Sequence, residues 1–455
     1  MPRASRLRRN SQSTQEADAA MSDTTINSPL TLPCGATLKN RIAKGAMTEG
    51  LADPQNRATA RHVRLYERWA DGGSGMLLTG NVQVDRRYLE RPGNVVIEGP
   101  QSNEQRAALA AYAEAGTRNG THLWMQLSHA GRQTPAAVTQ EPVAPSAIEV
   151  EMPGGQFGKP RALTGDEIED IIQRFAHAAG IARETGFTGV QIHGAHGYLI
   201  SEFLNPRVNQ RTDEWGGSLE NRARLLMETV KAVRARVGAD FPISVKLNSS
   251  DFQKGGFSHQ DSIQVAKWLD EAGLDLLEVS GGNYEQPVMM DTEGFEPVYE
   301  EKVRSSTRKR EAYFLEYASD ISKAVGKTPL MVTGGFRTTA AMNEALASGD
   351  TDVVGIARPL CVDAALPNKL LDGSVSEVRK WEKELRLGPT RIFGPNSPID
   401  LIRGLNAWGV QGWYCLQIMR MGDGQNPDTR MSVFKALRSY MSNEQKAAKA
   451  MAKAA

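Results

Sequence analysis

The sequence predicts an α/β fold, a (β/α)8 TIM barrel carrying an N-terminal hairpin and a C-terminal helical extension. Three observations lead there. Eight short runs rich in apolar residues recur along the chain, and nearly all are followed by a segment with helical spacing. Most of the runs are continuously apolar rather than alternating, as expected of strands covered by helices in a parallel sheet. Glycine-rich turns bearing an arginine follow the last two runs, where barrels commonly hold phosphate. An open doubly wound sheet is the alternative topology.

The elements follow in order. Residues 1–26 read as a disordered extension: Arg3, Arg6, Arg8 and Arg9 stand among serines without an apolar face, a composition shared with transit peptides. Asn27 to Leu38 forms a hairpin turning at Cys34-Gly35, placed to plug the bottom of the barrel. The first strand is Asn40 to Thr48, the second Gly75 to Val84 and the third Thr121 to Ser128. Between them, Thr59 to Asp71 has helical spacing, and Asn103 caps a second helix. Gly131 to Ala162 is too long for a bare connection, so it reads as a lid or substrate loop.

Thr164 opens a helix with a capping box to Glu167, and Ile168, Ile171, Ile172, Phe175 and Ala179 keep helical period. The remaining strands are Gly189 to Gly194, Ile243 to Asn248, Leu274 to Ser280, Pro329 to Gly334 and Asp352 to Ala357. Their helices are Ser218 to Val237, Ser258 to Ala272, Arg310 to Val325 and Thr338 to Ala347, with a second long loop reaching Lys309. The barrel unit is expected over 27–374. Within the extension, 375–455, the helical stretches are Ser374 to Leu387, Pro398 to Met421 and Ser432 to Ala455, the last with a frayed end.

Composition narrows the function classes. The chain has 455 residues, 40% hydrophobic and 24% charged, with net charge +1. That balance favours neither nucleic acid nor a membrane surface as partner. Three scattered cysteines, Cys34, Cys361 and Cys415, make no disulfide framework and too few thiolates for an iron–sulfur cluster, and they point to a reducing, cytoplasmic setting. A homo-oligomer is compatible with all of this.

Three constellations carry chemistry. Gly334-Gly335 after strand seven and Ala357-Arg358 after strand eight offer backbone N–H groups and a guanidinium to an anion. His193, His196 and Tyr198 end strand four as a compact set of donors, read as a pocket for a substrate oxygen with a proton donor beside it. A pair of satisfied strand-end histidines, or a metal site with Glu202 as third ligand, are the other readings. Thr48, Gln126 and Lys246 are polar at strand ends and together suit a flat heteroaromatic ring with carbonyl and N–H groups.

These motifs resemble the Old Yellow Enzyme family of FMN-dependent ene reductases and NAD(P)H:flavin oxidoreductases. The resemblance covers Leu30 to Leu371. It rests on HGAHGYLISEFLNPRVNQRTDEWGGSLENRAR, with NRIAKGAMTEG, LWMQLSHAGRQ, ISVKLN, SGGNYEQP, TGGF and VVGIARPL in support. It implies that Ala46, Met47 and Thr48 run beneath the isoalloxazine, with Thr48 near flavin O4. It further implies Gly80 facing the ring, Gln126 on the pyrimidine edge, Lys246 by N1, and Gly334, Gly335, Ala357 and Arg358 on the ribityl phosphate. His193 and His196 would bind the substrate carbonyl, Tyr198 would protonate the alkene, and Tyr284 would join the substrate site. Ala46 replaces the family's usual proline, and Lys246 stands where arginine is common.

The resemblance implies an oxidoreductase that takes hydride from NADH or NADPH onto FMN. It then passes the hydride to the activated C=C of an unsaturated carbonyl compound, in alternating steps. No metal is expected. Flavin-dependent oxidative C–N cleavage, a flavin-free phosphate-binding barrel enzyme and a non-catalytic binding protein remain the alternatives.

Overall fold

The computed structural model describes residues 23–152, 155–282, 285, 312 and 314–454. The hairpin strands β1 (Leu30–Thr31) and β2 (Thr37–Leu38) pair antiparallel, and Gly35 makes the turn at φ +89. Eight parallel strands then close into a barrel: β3 (Ile42–Lys44), β4 (Met76–Leu78), β6 (His122–Ser128), β9 (Gly189–Gly194), β10 (Ile243–Asn248), β11 (Leu276–Ser280), β12 (Leu330–Thr333) and β13 (Val353–Ile356). The β13–β3 and β4–β6 pairings complete the ring.

The second predicted strand divides into β4 and β5 (Val82–Gln83), and Gly80 lies in the break. In the long first loop, β7 (Val143–Ala144) and β8 (Arg161–Ala162) form a short parallel pair.

The helices are α1 (Ala60–Ala70), α2 (Asn103–Gly116), α3 (Gly165–Glu184), α4 (Leu199–Leu204), α5 (Leu219–Val237), α6 (His259–Glu271), α7 (Leu315–Ser322), α8 (Thr339–Ala347), α9 (Leu366–Leu371), α10 (Trp381–Glu384), α11 (Asp400–Gly422) and α12 (Val433–Ala454). Capping boxes at Thr59, Ser102 and Thr164 start α1, α2 and α3. Ser102 takes the cap expected of Asn103, because its hydroxyl accepts the Gln105 N–H while Gln105 answers its backbone.

Two expectations for the extension change. Residues 374–387 are not one helix; only Trp381–Glu384 turns. Thr339 N–H donates to Ser376 O and Val378 N–H to Arg337 O, which draws the segment out beside the start of α8. The terminal helix, expected to fray, runs continuously to Ala454. Residues 1–22, and the start of the predicted helix at Arg310, lie outside the described residues.

The barrel has an apolar floor and a polar mouth. Ala43, Met76, Leu78, Trp124, Leu276, Met331 and Val353 point inward at its lower end and join Leu30, Leu32 and Leu38 of the hairpin in one buried cluster. Two residues further along the strands, the inward positions become polar at Gln126, Gln191, Lys246 and Glu278. Outward residues such as Val190, Ile192, Val245, Leu277 and Val332 pack under the helices. The hairpin thus stoppers the bottom, and Leu38 has 0% exposure. Leu38→Ala should cost ~2–5 kcal/mol by opening a cavity there. Urea unfolding would measure it, and an unchanged midpoint would show that the hairpin is not part of the core.

Candidate active site

Strand register brings the inward polar residues together. Lys246 lies opposite His193 on one side and Glu278 on the other, and Gln126 lies opposite Gln191. Their side chains form a chain across the barrel. Gln126 Nε2 donates to Gln191 Oε1 at 2.7 Å, and Gln191 Nε2 donates to Glu278 Oε2 at 2.8 Å. The other Glu278 oxygen stands 3.0 Å from Lys246 Nζ, off the angle of a hydrogen bond. Both charges are buried, so each depends on the other for compensation.

The two histidines and the tyrosine converge above this chain. His193 and His196 have ring centroids 5.1 Å apart, and Tyr198 meets the His193 ring edge-on at 4.8 Å. Nδ1 of His193 accepts the Ala195 N–H at 3.3 Å, which assigns its proton to Nε2. His196 Nε2 lies 2.7 Å from Ser280 Oγ. Burial, reinforced by the Lys246 cation, holds both imidazoles well below their ordinary pKa, so they are neutral at pH 7. The Tyr198 hydroxyl accepts from Asn81 Nδ2 at 3.4 Å.

His196 sits at φ +63, a left-handed backbone that a non-glycine residue adopts only under constraint. Asn248 supplies part of that constraint. Its Oδ1 accepts the His196 N–H at 3.2 Å, and its Nδ2 donates to Asp251 Oδ1 at 2.7 Å.

The turns expected to receive an anion follow β12 and β13, which pair as neighbours in the barrel. Gly334 and Gly335 have φ +97 and +85, conformations that favour glycine. Gly334, Gly335, Ala357 and Arg358 are half-buried, as are Ala46, Met47 and Thr48, in a rim that is otherwise largely buried. Thr48 Oγ1 donates to Glu90 Oε2 at 2.9 Å. Gly80 N–H donates to Glu49 Oε1 at 2.8 Å.

Tyr284 lies outside the described residues. Glu202, the possible third metal ligand, is buried and accepts Arg132 N–H at 2.8 Å. No group of three or more metal-binding side chains occurs among the described residues.

Sequence reasoning missed several members of the site. Gln191 and Glu278 were hidden in apolar runs, although both fall on the inward phase set by Gln126 and Lys246. Asn81 carries no local motif, and Asn248 and Ser280 stand in ISVKLN and SGGNYEQP with nothing in the spacing to give them a role. Two carboxylates arrive from the extension: Glu382 pairs with Arg337, and Glu444 pairs with Arg91. Burial pushes the Glu382 carboxyl up, but Arg358 and Arg337 outweigh it and hold the group low.

A closed barrel with glycine and arginine turns after its last two strands, and an amide, a cation and neutral imidazoles at its mouth, is the arrangement expected of a barrel oxidoreductase that takes a phosphate-tailed heterocycle. The chain belongs to the NADH:flavin oxidoreductase / NADH oxidase family, whose pattern matches residues 26–377.

It is 38% identical over 362 residues to the NADH-dependent flavin oxidoreductase of Neonectria sp. (strain DH2), covering 76% of this chain and 47% of that one. The chain therefore spans about half the length of that relative. To the NADH-dependent flavin oxidoreductase of Talaromyces variabilis it is 36% identical over 415 residues, covering 87% and 97%. Among solved structures, it superposes on 2-naphthoyl-CoA reductase in complex with 2-naphthoyl-CoA, with TM-score 0.67 and 28% identity, covering 77% and 52%. It superposes on the Old Yellow Enzyme homologue from Zymomonas mobilis with TM-score 0.65 and 26% identity, covering 82% and 99%.

The residues present fit the family's FMN. A Cβ built at Gly334 meets nothing within 4 Å, which leaves the cradle open to a phosphate. Thr333 Oγ1 and Asn81 Oδ1 are buried without a hydrogen-bond partner among the described residues. Lys246 is a buried cation among the inward polar residues, a group that would suit an anionic reduced ring.

The Asp251 anchor gives a test of the His196 loop. Burial raises this carboxyl to about 7, against hydrogen bonds from Asn248 and the Phe257 N–H that lower it. A folded-state pKa above the unfolded value contributes stability in full at low pH and loses it as pH rises through 7. Asp251→Asn should therefore reduce the fall in stability between about pH 4 and pH 7. Urea unfolding at several pH values checks this; an identical slope in the variant would contradict the assignment.

Proposed function

We propose that this protein is an NADH-dependent ene reductase that reduces the activated C=C of a small α,β-unsaturated carbonyl compound. The observation that carries the reading is the meeting of His193, His196 and Tyr198 in one set of ring contacts at the barrel mouth. The family match supports a flavin-dependent redox reaction with NADH as reductant.

When bound, FMN supplies the two-electron carrier that accepts hydride from the nicotinamide and releases it to the alkene. Gly334, Gly335, Ala357 and Arg358 would hold its phosphate. Gln126 and Lys246 would meet its pyrimidine edge, and Ala46, Met47, Thr48 and Gly80 would support its ring. Lys246 is kept in the low-dielectric mouth by Glu278 and offers a positive charge to a reduced ring.

The histidines act as neutral donors. His193 keeps its proton on Nε2, available to a substrate oxygen, since its Nδ1 is taken by the Ala195 N–H. A carbonyl oxygen received there is stabilised most when it gains enolate charge, which lowers the barrier selectively. Neutral imidazoles suit this role, because they polarise the oxygen without surrendering a proton to it. Tyr198 holds the proton for the α-carbon, and Asn81 orients its hydroxyl. The unit 27–374 would carry this chemistry, with 375–455 as a helical cover.

Tyr198→Phe should slow alkene reduction while leaving reduction of the bound flavin by NADH nearly unchanged. Stopped-flow absorbance resolves the two half-reactions, and equal losses in both would remove Tyr198 from the proton-donor role. Losing one oxyanion donor through His193→Ala should lower the alkene-reduction rate about 10²–10³-fold. A variant as fast as wild type in that half-reaction would show that the carbonyl binds elsewhere.

A further inference from the structure

The layer between the barrel and α1 is built from large apolar and aromatic side chains. Leu65, Tyr66, Trp69 and Ala70 of α1 are all buried there. Into this layer β3 sends Lys44, a side chain with no exposed surface. Its neighbour Ala43 faces the barrel interior, so Lys44 faces outward, under the helix. Its ammonium lies 4.5 Å from the centroid of the Trp69 ring and 5.5 Å from that of Tyr66. A cation so placed is costly unless its donors are satisfied.

The satisfaction is specific. Lys44 Nζ donates to Gly45 O at 3.0 Å and to Leu78 O at 2.6 Å. Gly45 follows the end of β3 and directly precedes Ala46–Thr48, and Leu78 ends β4 two residues before Gly80. Glu49 closes the far side of the same two runs. Its Oε1 accepts the Gly80 N–H at 2.8 Å, the Tyr66 hydroxyl, and the Tyr112 hydroxyl at 3.4 Å. Tyr66 also lies 3.3 Å from Leu78 O and so links the two ends. Between them the backbones are pressed together. A Cβ at Gly80 would come within 2.5 Å of Met47 O and 2.8 Å of Thr48 Cα.

We propose that Lys44 and Glu49 are positioning residues for the flavin: they clamp Ala46–Thr48 against Gly80 and so set the shape of the floor under the ring. The proposal rests on the reading of the barrel mouth as the FMN site. Neither residue reaches the mouth itself. Both act through the backbone they hold.

The clamp also has a pH signature. Burial lowers the Lys44 ammonium to about 8, with Glu49, Cys361 and Glu278 opposing the shift and Lys246 adding to it. His62 of α1, tilted against Tyr112 at 5.1 Å, is brought to about 4 by burial and so is neutral in this range. Because the folded-state pKa is depressed, the charged clamp is present below pH 8 and lost as pH rises through it.

The test uses the full chain. Lys44→Met keeps most of the length of the side chain in an apolar layer, and Glu49→Gln keeps an acceptor for Gly80. FMN dissociation constants would be measured by quenching of flavin fluorescence from about pH 6 to about pH 9. The visible spectrum of the bound flavin and the melting temperature of the apoprotein would be recorded in parallel.

Lys44→Met should bind FMN at least ~10-fold more weakly at neutral pH, with a displaced visible band. Its affinity should stay flat through pH 8, where that of wild type falls. Glu49→Gln should show the weaker binding and the displaced band as well, and it decides the matter if Lys44→Met folds poorly. Variants that melt earlier yet bind FMN with wild-type affinity, spectrum and pH profile would overturn the clamp and leave only a structural role. Failure of wild type itself to bind FMN would instead remove the flavin reading on which the clamp rests.

Discussion

The ion pair between Lys246 and Glu278 is the constraint around which this barrel is arranged. Eight parallel strands leave one inward row near the mouth that is too far from water to hold charge cheaply, yet two charges stand in it. They are tolerable because each faces the other and because Gln191 and Gln126 extend the network to the opposite wall. The same cation helps keep His193 and His196 neutral. One buried pair thus shapes the electrostatics of the mouth, and in the proposed reading it leaves a positive point for an electron-rich ring and uncharged N–H donors for a developing oxyanion.

Much of this was legible in the sequence because it is local. Apolar runs with helical segments between them gave the eight strands, and glycine followed by arginine marked the cradle. Thr164 and Glu167 announced a helix start by their spacing alone. What stayed hidden is pairing across the sheet. Glu278 reads as a lone polar residue in LDLLEVS until strand order places it beside Lys246. The segment 374–387 has helical composition, but its backbone hydrogen bonds are claimed by Arg337 and Thr339, which no periodicity within the segment reveals. Ser102 won the cap from Asn103 by one position, within the margin at which helix ends are defined.

The extension beyond residue 377 lies outside the family match, yet it reaches the site at two points. Glu382 pairs with Arg337 and is held low by Arg358 as well, with the Tyr414 hydroxyl on its other oxygen at 3.3 Å. Glu444 of α12 pairs with Arg91, whose guanidinium also lies 5.2 Å from the centroid of the Tyr440 ring. Arg91 neighbours Glu90, the partner of Thr48. Glu382 of α10, backed by Tyr414 of α11, and Glu444 of α12 therefore reach arginines near the half-buried rim, and this links a part of the chain without motifs to the one richest in them.

In the proposed reading the polar mouth holds a flavin which NADH can reduce. The most direct measurement is an anaerobic titration of the FMN-loaded protein with NADH, followed in the visible absorption of the flavin. The account predicts stoichiometric bleaching of the bound flavin, with colour restored by an unsaturated carbonyl compound. A protein that retains no FMN, or whose bound flavin keeps its colour in excess NADH, would contradict it.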